Sequence, residues 1–76
     1  MRYRNQQVLL IFGKHLKELR SLKEITQEAL AYKADISLSQ IARIETGRLN
    51  PTLCTLVLIA DALDIELSSL LDFKAG

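Results

Sequence analysis

Apolar side chains in the first third of the chain recur with a helical period. Phe12, Leu16 and Leu19 stand at i, i+4 and i+7, while Lys14, Lys17 and Glu18 fall mostly on the other side. This spacing predicts a first helix over residues 7–22. Val8, Leu9 and Ile11 add a further apolar turn at its start, open to internal packing or to a dimer contact. Thr26 suits an N-cap and Glu28 suits the positive end of a helix dipole, so a second helix is expected over 27–33, with Ala29, Leu30 and Ala34 inward. So short a helix needs neighbours to stand. Asp35 and Ile36 form a tight turn. Ser37 then caps a third helix over 37–46, and Gln40 completes a Ser-x-x-Gln capping box. Ile41 and Ile44 form the apolar stripe of this helix, and Gly47 supplies a left-handed exit.

Asn50-Pro51-Thr52 marks a loop and another cap. A fourth helix over 53–63 is apolar on several sides, through Leu53, Leu56, Val57, Ile59, Ala60 and Leu63, and is expected at the centre of the core. A fifth, over 66–71, offers Leu67, Leu70 and Leu71, with Phe73 nearby. The fold class is all-α, five short helices, with no repeat, linker or low-complexity segment.

At 76 residues the chain reads as one small domain, expected to bury only about 60% of its unfolded surface. Its 49% apolar content still marks it as globular. Cys54 is the only cysteine, which excludes an internal disulfide and argues against a thiolate metal site. His15 is the only histidine, which removes most zinc and catalytic-triad arrangements; both residues are read as packing or surface. With no catalytic constellation of His, Cys, Ser or carboxylates, no enzyme, cofactor, metal or small-molecule ligand is expected. The apolar run VLLIF is too short for a secretory signal core, and no segment approaches the ~20 apolar residues of a membrane span. A cytoplasmic location follows as the expectation.

Net charge is only +1, but it is unevenly spread. Residues 1–50 carry nine basic and five acidic side chains, against one and four in residues 51–76. A polyanion would prefer the first part. Arg2 and Arg4 make residues 1–6 either a basic arm that neutralises phosphate or an unstructured end.

Two short helices joined by a tight turn can meet steeply, so that the second projects from the domain. A projecting helix fits the DNA major groove, with its N-terminal residues first to reach base edges. LKELR (16–20), TQEALAYKA (26–34), ISLSQIARIETGRLNP (36–51), TLVLIADAL (55–63) and LSSLL (67–71) follow one another at spacings that match such a domain. In this series the chain resembles the Cro/phage-repressor (XRE-like) helix-turn-helix family over about residues 12–71. The resemblance implies a lambda-repressor-like DNA-binding domain, acting as a homodimer on a two-fold operator of duplex DNA.

Carried over by position, the resemblance implies that Gln27 contacts a phosphate and braces the recognition helix. It places Ser37, Leu38, Ser39 and Arg43 on the operator, and Thr46, Arg48 and Asn50 in a loop that grips the backbone. Arg43 suits a guanine, through two hydrogen bonds to O6 and N7. Leu38 could cover a thymine methyl, Ser39 is small and adaptable, and Ser37 sits at the rim because it also caps. Arg20 and Glu45 are implied as a structural ion pair between the first and third helices. Asp35 and Asp64 stand where the family commonly has glycine, and aspartate tolerates a left-handed backbone better than most residues.

The resulting expectation is a sequence-specific transcriptional regulator, a repressor or autoregulator. It would dimerise through Leu67, Leu70, Leu71 and Phe73, because one domain with few cationic contacts binds weakly. Phage, restriction–modification and antitoxin-like settings stay open. The rival reading is a protein-interaction module that keeps the frame without using it on DNA. Low net charge and Asp35 favour the rival; Gln27, Arg43 and Arg48 in their places oppose it.

Overall fold

The computed structural model describes residues 5–74. These residues fold as α1 (Asn5–Leu22), α2 (Gln27–Ala34), α3 (Leu38–Glu45), α4 (Leu53–Ala62) and α5 (Leu67–Leu70), with no strand among them. The first helix starts two residues earlier than the apolar pattern indicates, because Asn5 and Gln6 are helical. That removes residues 5 and 6 from the expected arm; Arg2 and Arg4 lie outside the described residues.

Side-chain caps start three helices where hydroxyls stand in the sequence. Thr26 Oγ1 accepts from the Ala29 amide at 3.1 Å and Thr52 Oγ1 from the Thr55 amide at 3.2 Å. Ser37 and Gln40 form the reciprocal box: Ser37 Oγ accepts from the Gln40 amide at 3.0 Å, and the Ser37 amide donates to Gln40 Oε1 at 3.2 Å. Each such cap satisfies an amide that the helix start leaves without a partner.

Helix ends use a single device four times. Glu24, Asp35, Gly47 and Asp64 all have φ between 54° and 73°. The amide of the following residue bonds back to a carbonyl five residues earlier: Ile25 to Arg20, Ile36 to Ala31, Arg48 to Arg43, Ile65 to Ala60. This left-handed closure satisfies carbonyls that would otherwise be orphaned. Asp35 and Asp64 thus hold the backbone expected of them; Glu24 was not anticipated, since glutamate carries no signal for that conformation.

The core is drawn from every helix: Phe12 and Leu16, Leu30 and Ala31, Ile41 and Ile44, Ile59 and Ala60, then Leu63 and Leu70. In α2 the buried set is Leu30, Ala31 and Ala34, with Ala29 only half-buried. Two expectations need correction. α4 is not a central helix: Ile59 and Ala60 are buried, but Leu53, Val57 and Leu58 are exposed, because α4 packs mainly on α2 and α5 and keeps an open side. Leu70 is no dimer contact: at 0% exposure it is the core residue of α5. Among the described residues no helix is long and apolar enough to cross a membrane.

Candidate nucleic-acid interface

Burial divides α3 along its length. Ile41, Ile44 and Glu45 face the body, and Leu38, Ser39, Arg43 and the capping Thr46 are exposed. Ser39, Arg43 and Thr46 stand at i, i+4 and i+7 and share the outer stripe, with Leu38 beside them at the start. The exit loop leaves Arg48 and Asn50 exposed as well. A continuous edge therefore runs from Leu38 to Asn50.

A polar lock sets how α3 sits. Arg20 meets Glu45 with a fork: Nε donates to Oε2 at 2.7 Å and Nη2 to Oε1 at 3.1 Å. Arg20 Nη1 donates to the Ile25 carbonyl at 3.0 Å, and Gln27 Nε2 adds a third donor to Glu45 Oε1 at 2.9 Å. The side chains are 14% and 3% exposed. A carboxylate in the last turn of a helix meets the negative end of the dipole, and three donors aimed at it offset that penalty. The bond to Glu45 in turn raises the Arg20 pKa above its ordinary value against the opposing pull of burial, so the guanidinium stays charged. α1, α2 and α3 are thereby joined at one carboxylate.

Gln27 braces α3 in this way with one amide hydrogen and is only half-buried. Ser37 is engaged by the capping box, which also occupies Gln40. Its hydroxyl donates only weakly, to Gln40 Oε1 at 3.4 Å. Thr46 needs correction as a phosphate donor. Its hydroxyl bonds the Ala42 carbonyl at 2.9 Å and its amide bonds the same carbonyl at 3.2 Å, so neither donor points to a ligand. Short hydroxyl side chains compete in this way for nearby backbone carbonyls.

One residue of this region was missed in the sequence. Gly13 is buried in mid-α1, and a Cβ there would come within 2.6 Å of the Ile44 and Glu45 carbonyl oxygens. A glycine inside a helical pattern was the available signal for this close approach. Among the described residues no group of three or more His, Cys, Asp or Glu side chains could hold a metal ion.

Residues 16–70, from the C-terminal part of α1 through α5, match HTH_3, the helix-turn-helix family. The chain belongs to the helix-turn-helix family. Among its relatives, the immunity repressor protein of Bacillus phage phi105 is 43% identical over 58 residues, 76% of this chain. This chain spans only 40% of that repressor's length. Control protein C.BamHI of Bacillus amyloliquefaciens is 34% identical over 67 residues, covering 87% of this chain and 83% of its own. The crystal structure of the restriction-modification controller protein C.AhdI from Aeromonas hydrophila superposes with a TM-score of 0.80 at 39% identity. It covers 82% of this chain and 94% of that one. In helix-turn-helix terms α2 and α3 are the motif, and α3 is its second, recognition helix.

Proposed function

We propose that this chain is a sequence-specific, DNA-binding transcriptional regulator, a repressor or autoregulator, that acts as a homodimer on a two-fold operator in the cytoplasm. One observation carries this reading: α3 is locked to α1 and α2 through its buried side while Leu38, Ser39 and Arg43 stand exposed along its outer edge. Base edges would be read by these three residues. Arg48 and Asn50, with Ser37 and Gln27 at the start of their helices, would hold phosphate oxygens, which fix register without reading sequence. Relatives that are a phage immunity repressor, a control protein and a restriction–modification controller support the regulatory role.

The dimer face falls on α4 rather than on Leu70. Leu53 and Val57 stand at i and i+4, and Leu58 and Leu71 are exposed with them. Next to this face Val8, Leu9, Phe12 and Leu71 line an apolar groove of about 130 Å³, so the extra apolar turn of α1 contributes to the same side. Phe73, half-buried against Phe12 with ring centroids 5.5 Å apart, lines the same groove, while Leu67 is half-buried. A two-fold operator requires the two recognition helices of such a dimer about 34 Å apart, one turn of DNA.

Salt titration of duplex binding tests the reading. One Arg48 per protomer neutralising one phosphate predicts that log K falls against log salt with a slope of about −2 or steeper, at about −0.9 per phosphate. A flat response would favour the interaction-module reading, to which the exposed Asp35 already lends some weight.

A further inference from the structure

The N-terminal half of α1 leans on the end of the recognition helix at three positions. Gln6, Leu10 and Gly13 stand at i, i+4 and i+7 and share one face. Gly13 brings the α1 backbone against the last carbonyls of α3. One turn earlier Leu10 covers Gly47, where a Cβ would lie 2.8 Å from Leu10 Cδ2 and 3.2 Å from its Cα. At the start of the helix, Gln6 Nε2 donates to the Gly47 carbonyl oxygen at 3.1 Å. All three residues precede residue 16, where the family match begins.

The peptide unit between Gly47 and Arg48 is therefore held from both sides. Its carbonyl accepts from Gln6, and its N–H donates to the Arg43 carbonyl at 2.8 Å. A peptide unit is planar, so bonding both groups sets its orientation and the direction in which the Arg48 side chain departs. Gly47, at φ 73°, would otherwise leave the loop a wide choice of conformation. Gln6 is exposed and adds nothing to the core. Among the described residues its side chain makes one hydrogen bond, to this loop.

We propose that Gln6 is a positioning residue for DNA binding: it holds the Gly47–Arg48 peptide so that Arg48 meets phosphate, without touching DNA itself. The proposal rests on the duplex-DNA reading above. It also gives the segment before the family match a role in this chain's own affinity.

Two measurements on the full chain test it. In the free protein, Gln6→Ala should speed hydrogen exchange at the Arg48 amide about fivefold, the effect of losing one ordinary hydrogen bond. Unchanged protection there would overturn the proposal whatever happens on DNA. On duplex DNA, Gln6→Ala should weaken binding about fivefold and flatten the salt slope, by at most about 0.9 per protomer. Added to Arg48→Ala, it should cause no further loss, because both changes remove one contact. A purely structural role would lower the thermal midpoint and add to the Arg48→Ala loss; additivity overturns the proposal. If the wild-type chain binds no duplex, the DNA reading falls and the positioning role with it, while faster exchange at Arg48 would still identify the clamp on the loop.

Discussion

Arg20→Ala should remove about half of the stability of the fold. The change strips two of the three donors from Glu45, whose side chain is 3% exposed, and leaves Gln27 alone to satisfy a buried carboxylate. It also removes the bond to the Ile25 carbonyl that fixes the chain between α1 and α2. Breaking a buried pair on one side costs about 3–5 kcal/mol. A domain of this size holds about 4–11 kcal/mol in total, at about 0.05–0.15 kcal/mol per residue. Urea denaturation followed by circular dichroism should therefore show a midpoint at about half the wild-type urea concentration. Replacing both partners with apolar residues of similar volume should cost much less, because no uncompensated charge remains. A loss below about 1 kcal/mol for Arg20→Ala would place the pair with ordinary surface ion pairs and remove the lock that orients α3.

Val57→Asp should leave the fold intact and disable function. Val57 is 47% exposed, so the substitution opens no cavity in the core. In a two-fold dimer through α4, however, it would bury two like charges near the axis. Sedimentation at micromolar concentration should then give a monomer, with a thermal midpoint set by the protomer alone. Operator affinity should fall by about 10²–10⁴, the gain that joining two binding modules supplies. Leu70→Asp would not serve as this test, because Leu70 is fully buried and its loss would unfold α5. A Val57→Asp chain that stays dimeric would move the interface elsewhere.

The parts of this molecule legible in its sequence are those governed by short-range chemistry. Ser37 and Gln40 announce their capping box because hydroxyl and amide stand three residues apart. Gly47 announces a left-handed exit because few residue types take that conformation readily, whereas it is the family resemblance that points to Asp35 and Asp64. Glu24 does the same work unannounced. The Arg20–Glu45 pair spans 25 residues, and no local rule connects them; it came from family resemblance.

Apolar periodicity fails where it has too little length or too little contrast. α5 is one turn, and periodicity cannot choose among its leucines, yet Leu70 is buried and Leu71 exposed. α4 is apolar nearly all round, which suits a core helix and an interface helix equally; packing mainly on α2 and α5 leaves Leu53, Val57 and Leu58 exposed. Thr46 illustrates a third limit. Its residue type suits a phosphate, but its hydroxyl is already held by Ala42.

The central claim is that α3 reads bases and that Arg43 does part of the reading. Selection from random duplex DNA at physiological salt, run side by side on the wild-type chain and Arg43→Ala, tests it most directly. The wild type should enrich a two-fold symmetric consensus. Arg43→Ala should bind it about 1–3 kcal/mol more weakly and lose preference at one base pair per half-site. No enrichment by the wild type, or an unchanged consensus with Arg43→Ala, would contradict the account.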